Sequence, residues 1–215
     1  MDRTAELDVY FERVEIGQYS GRYHNEVNLL TRGKVQKTTE LFSGHPTIEA
    51  LGGFVLDDPE TSNHHVFATK SPIAGQILYL SHDGDTRVVF ESLTHFVAAV
   101  ERALEERGVL SDLHPVLSPL CQDQPGLVNF IETLCKDDEG EDVAVQLIPS
   151  LDLYDYALLN RMAVADNFFL AEAIAIEIRK RPRPDLLRIA EQCRAHPHAQ
   201  VAKAGAAAVA AIRGV

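Results

Sequence analysis

The spacing of apolar residues divides the chain into a region that alternates and a region that repeats with a helical period. Over residues 7–14 both periods fit: Leu7, Val9 and Phe11 alternate as on a strand, while Leu7, Phe11 and Val14 share one helical face. Gly17, Gly21 and Gly33 then cut the chain into short pieces around Val27, Leu29 and Leu30. Pro46 to Leu51 predicts a short helix closed by Gly52-Gly53, because glycine enters the left-handed helix-ending conformation without steric cost. Between Phe54 and Phe90 the pattern is that of strands. Gly53-Phe-Val-Leu runs into the polar loop Asp57-Asp-Pro-Glu-Thr-Ser-Asn63, and the apolar runs Ile77-Leu-Tyr-Leu80 and Val88-Val-Phe90 flank Asp83-Gly84, a strong hairpin signal.

From Ser92 onward the period becomes helical. Ser92 can cap a helix whose Leu93, Phe96, Val97, Val100 and Leu104 form one face and whose Glu101, Arg102, Glu105 and Glu106 form the other. This amphipathic helix stops at Gly108 and is expected to cover the sheet. The stretch 109–126, with Pro115, Pro119 and Pro125, reads as a linker or irregular connection. Leu127, Phe130, Ile131 and Leu134 suggest another helix, and Lys136-Asp-Asp-Glu-Gly-Glu-Asp142 a solvated loop. Further helices are expected to begin near Ser150, Asp166 and Asp185, and a last one to run from about His198 to Ile212; Pro182-Arg-Pro184 separates the second from the third. In the last helix, Val201, Ala204, Gly205, Ala208, Val209 and Ile212 give a face of small residues suited to close packing, although Gly205 weakens the helix itself. The expected fold class is therefore α+β: a mainly antiparallel sheet flanked by helices over residues 1–108, a connection over 109–126, and an α-helical module over 127–215.

Composition is that of an ordinary globular protein, with 46% hydrophobic and 24% charged residues. The charge changes the picture: 32 acidic against 20 basic residues give −12 at neutral pH. Nucleic acid and anionic membrane both bind through lysine and arginine, so neither is an expected partner, whereas a basic protein is. Cys121, Cys135 and Cys193 form no CxxC pair and suit reduced, packed thiols. The N-terminus lacks a basic segment followed by an apolar one, and no window approaches the roughly 18 apolar residues of a membrane span, so a cytoplasmic location is expected.

The polar residues of the central region are the candidates for chemistry. His64, His65, His82, Asp83 and Asp85 supply imidazole and carboxylate groups that could meet across neighbouring strands, which raises a metal-dependent hydrolase using His64, His82 and Asp83 as an alternative function. Adjacent strand residues face opposite sides, however, so His64 and His65 are poorly placed to share one ion, and the spacing matches no standard site. Asp83-Gly-Asp85 lacks the bidentate glutamate of a calcium loop and is better explained as a turn. Ser92 and His95, three apart, suit a cap and a surface histidine better than a nucleophile and its base, for no third residue is placed to orient the imidazole. No phosphate-binding glycine loop is present, so no nucleotide cofactor is expected. Arg179-Lys-Arg-Pro-Arg183, the one cationic cluster, lies at a helix end, where it complements the helix dipole.

Asp57-Asp-Pro-Glu-Thr-Ser-Asn-His-His65, Gly75-Gln-Ile-Leu-Tyr-Leu-Ser-His-Asp-Gly-Asp85, Val88-Val-Phe90 and Ser92-Leu-Thr-His-Phe96 together resemble proteins of the SUKH superfamily, over about Leu51 to Leu104, roughly a quarter of the chain. The resemblance implies a curved, mainly antiparallel sheet flanked by helices, used as a protein-binding scaffold without an active site. Many bacterial members act as immunity proteins that neutralise a toxin, often a nuclease. The expected function is accordingly non-catalytic protein binding, with immunity against a basic toxin as the role the resemblance implies, and with Asp57, Asp58, Glu60, His64, His82, Asp83 and Asp85 as the partner-binding residues. A structural adaptor or homodimer is the further alternative, and the sequence leaves the oligomeric state open. The N-terminus departs from the family in lacking its helix followed by a Leu-Pro turn. Leu186-Leu-Arg-Ile-Ala-Glu-Gln-Cys with His196-Pro-His-Ala-Gln-Val-Ala-Lys-Ala-Gly-Ala-Ala-Ala-Val-Ala-Ala-Ile212 resembles one HEAT helical hairpin, with a helical cap as the equally weighted alternative.

Overall fold

A computed structural model describes residues 3–214, with side chains from residue 5 onward. The chain forms two compact units, one ending at Gln122 and one beginning at Asp123. The first is α+β and the second helical.

In the first unit, helix α1 (Arg3–Ile16) decides the ambiguous N-terminal pattern in favour of the helical period. Leu7, Phe11 and Val14 are buried, whereas Val9, which a strand would place beside them, is 65% exposed. Two further helices follow, α2 (Arg32–Leu41) and α3 (Pro46–Leu51). Only α3 is marked in the sequence: Gly52 adopts φ 57° at its C-terminus, as expected of a glycine stop. The α2 segment RGKVQKTTEL buries only Val35, so its apolar pattern is too thin to announce a helix.

The sheet is a four-stranded antiparallel meander in the order β1 (Phe54–Val55), β2 (His64–Phe67), β3 (Ile77–Leu80) and β4 (Arg87–Phe90). His64 pairs with Leu80 and Phe67 with Ile77, while Tyr79 pairs with Arg87 across the expected hairpin. The hairpin loop spans 81–86, and Gly84 takes φ +93° within it. Every residue of β2 and β4 is buried, so neither strand shows a polar face. Helix α4 (Leu93–Glu106) begins at Ser92, whose hydroxyl oxygen accepts the His95 backbone N–H, and buries Leu93, Phe96, Val97 and Val100 as its period requires. It ends on Arg107 at φ 54°, one residue before Gly108. Residues 110–113 then make a 3-10 turn whose Leu110 is fully buried with the α1, α4 and sheet residues of the core.

The second unit comprises α5 (Gln124–Leu134), α6 (Asp138–Leu147), α7 (Tyr156–Met162), α8 (Phe168–Lys180), α9 (Leu187–Arg194) and α10 (Ala199–Arg213). Much of the acidic stretch 136–142, expected as a solvated loop, is instead the start of α6. Asp137 caps it through the Gly140 N–H, and Asp138, Glu139 and Glu141 occupy the first turn, where negative charge complements exposed backbone N–H groups. The helix expected near Ser150 starts later, because Asp155 is the residue that caps it. Helix α10 lies close against α9 at Gly205, where a Cβ would stand 2.2 Å from the Arg194 nitrogen. The basic run at the end of α8 is used internally: Lys180 and Arg181 pair with buried Glu177, and Arg181 and Arg183 donate to carbonyls of Pro149, Leu151, Asp152 and Leu153.

Candidate functional site: an acidic loop end above a buried Asp-His-His chain

The loops 57–63 and 81–86 meet at one end of the sheet because β2 and β3 pair up to His64 and Leu80, after which both chains must leave the ladder together. Their backbones are tied directly, the His82 N–H donating to Asn63 Oδ1 at 2.8 Å. A third segment joins them. Asn28 donates through Nδ2 to the Asp58 carbonyl at 2.6 Å and accepts the Asp58 N–H at its own carbonyl, and Leu29 bridges Asp57. Glu60, His82, Asp83 and Asp85 are exposed at this end and Asp58 is half-buried. Arg87 reaches Asp85 at 3.4 Å.

The same end gathers residues that the sequence did not single out. Tyr23 is exposed, and its phenol is held above its ordinary range by loss of hydration first and then by Glu60 and Asp58 beside it. Tyr79 is likewise raised, by burial and then by Glu26 and Asp57. The rim is thus more acidic than the two loops alone.

Two of the seven expected partner-binding residues are not on this rim. Asp57 has no exposed surface and His64 only 9%. His64 packs edge-on against Phe42, with Nδ1 3.0 Å from the Asp57 carbonyl. His65 faces the other side of the sheet, as strand geometry requires. With His64 turned inward and His82 and Asp83 outward in the hairpin, the three side chains named for a hydrolase do not converge. Among the described residues, no three His, Cys, Asp or Glu side chains are grouped to hold a metal ion. Ser92 is the cap described above; its hydroxyl also lies 3.0 Å from His95 Nδ1.

Beneath the rim runs a buried polar chain. Asp57 Oδ1 accepts the His65 backbone N–H at 2.7 Å, and Oδ2 accepts from His65 Nδ1 at 2.5 Å. That fixes His65 Nε2 on its far side, where it meets His114 Nε2 at 2.9 Å. The rings of Tyr79, Phe90 and Phe96 surround His65, and Tyr79 stands 4.5 Å from His114. Such a lining is where an imidazole must find hydrogen-bond partners or lose several kcal/mol, and here it has two. Burial, then the charges of His65 and Arg87, hold the His114 imidazole down to about 3. Tyr10, raised well above its ordinary range by burial and then by Asp57, donates to the Leu56 carbonyl at 3.1 Å and fixes the strand end from below.

The sequence offered one sign of this chain: two adjacent histidines that run straight into the apolar Val66-Phe67, one of which must face the core. His114 carried none, since its partner lies 49 residues away and the proline after it says only that the backbone is extended. Compared with protein-family models, curated proteins and solved structures, the chain matches none of them.

Proposed function

We propose that this chain is a non-catalytic binding protein whose first unit recognises a basic protein partner, with neutralisation of a toxin as the biological role and the cytoplasm as its place of action. The observation that carries the reading is the convergence of the 57–63 and 81–86 loops into one acidic rim, with Glu60, Asp83 and Asp85 exposed on backbone that hydrogen bonds hold in place. A preformed acidic surface attracts a cationic partner during diffusion and loses little conformational freedom when it docks. The SUKH resemblance over the same residues supports the immunity role, and the net charge of −12 supports the sign of the partner. No helix among the described residues is long and apolar enough to cross a membrane.

The test is capture from the source cell, and co-expression with a toxin encoded beside this chain, using wild type and the triple charge reversal Glu60→Lys, Asp83→Lys, Asp85→Lys. Wild type is expected to retain a basic protein and protect the cell, and the triple variant to lose both while keeping its unfolding midpoint. Equal capture by the two chains, or no basic protein and no protection with wild type, would overturn the reading.

A further inference from the structure

We propose that the Asp57-His65-His114 chain is an acid-released latch that holds residues 111–120 against the sheet. The segment is anchored at both ends: Leu110 is fully buried in the core, and the buried Cys121 thiol donates to the Pro72 carbonyl. Between those anchors it carries Val116, 81% exposed, and Leu117 and Leu120, both more than 40% exposed. Its polar attachments to the sheet are the His114–His65 contact and a long contact of 3.4 Å from Arg87 to Ser118. Leu113, Pro115, Leu117 and Pro119 line one wall of a cleft of about 480 Å³ whose other wall includes Ala98 and Ala99 of α4.

Two ring nitrogens 2.9 Å apart share one proton, so while the rings touch, one facing nitrogen must remain a lone pair. Asp57 is bonded to the far nitrogen of His65 and not to His114, and burial keeps the His114 ring neutral. The groups facing His114 reinforce this. Arg87 from β4 repels a second cation, His65 from β2 does the same, and Tyr79 from β3 offers a ring edge; Asp57 reaches it only through His65. On its own segment Asp112 is exposed. Once the segment lifts, His114 enters water, where an ordinary imidazole binds a proton near pH 6.5. The released form therefore binds one proton that the latched form excludes. Its population rises up to about tenfold for each pH unit below about 6.5, until the latched ring itself titrates. Acid would thus expose the apolar wall of the cleft without unfolding the strands beneath it.

Amide hydrogen exchange of the whole chain between pH 7 and pH 4.5, corrected for intrinsic rates, tests this. The amides of 111–120 are expected to open up to about tenfold more per unit of acidification, those of β2 and β3 to keep a constant opening population, and His114→Gln to remove the pH dependence, since the glutamine amide can either accept from or donate to His65 but does not titrate. A flat wild-type profile, an equal slope in His114→Gln, or the same slope in β2 and β3 would overturn the proposal. Imidazole NMR of the wild type gives an independent reading that needs no variant to fold: a native His114 still neutral at pH 5 supports the latch, and one titrating near 6.5 refutes it.

Discussion

At the scale of single residues, burial and pairing separate side chains that look alike in the sequence. Asp57 and Asp58 are neighbours, yet the first satisfies a buried backbone N–H and a buried imidazole while the second stands at the rim. Truncating Asp57 to alanine leaves both donors unmatched in an apolar lining, and a loss of about 2–4 kcal/mol in chemical denaturation is expected. Asp58→Asn is expected to move stability by only about 0.5 kcal/mol in the same assay. The thiols follow the same rule. Burial pushes Cys193 up to about 12 and Cys135 up to about 11, so the native chain is expected to react with a disulfide reagent at pH 8 far more slowly at these two positions than after denaturation. Asp57 and His64 were legible as functional-looking letters but not as interior ones. Their burial depends on both faces of β2 being covered, His64 by Phe42 and His65 by Phe96 of α4, and on Asp57 turning in to meet His65, and no local pattern records that.

At the scale of elements, the best-marked segments carry both a period and a terminus. Helix α4 has the Ser92 cap, a continuous apolar face and a left-handed last residue, and α3 has proline at its start and Gly52 at its end. Removing the cap with Ser92→Ala is expected to cost about 1 kcal/mol in thermal unfolding. Two glycines make a sharper contrast. Alanine in place of glycine favours a helix by up to about 1 kcal/mol. At Gly33 in α2 a Cβ meets nothing within 4 Å, so Gly33→Ala is expected to stabilise the chain by about 0.5 kcal/mol. At Gly205 it would strike the α9 backbone at Arg194 and Cys193, and the resulting displacement, about 1–3 kcal/mol, outweighs the gain. Gly205→Ala is expected to lower the melting temperature where Gly33→Ala raises it. Helices α2 and the start of α6 escaped the sequence reading because one buries little and the other hides its cap inside a run of charge that also fits a loop.

At the scale of the whole molecule, the excess of 12 negative charges favours association with cations at long range. The proposed partner is expected to associate more slowly as salt rises from about 50 mM to 200 mM, where the screening length falls to about the size of one side chain, and stopped-flow mixing would measure it. The dissociation rate is expected to change less, because it depends on short-range contacts.

The sequence alone determined the α+β class with its helical C-terminal part, the strand pair around Asp83-Gly84, the capped helix that follows and the acidic balance, since each rests on neighbours within a few residues and on the period of apolar positions. Tertiary structure alone decided that residues 7–14 turn as a helix, that two acidic loops and residues near Tyr23 share one end of the sheet, and that Asp57, His65 and His114 join in one buried chain. Those choices depend on contacts between residues far apart in the chain, formed because burying an apolar face outweighs any local preference and because each polar group carried inside must find its partner there.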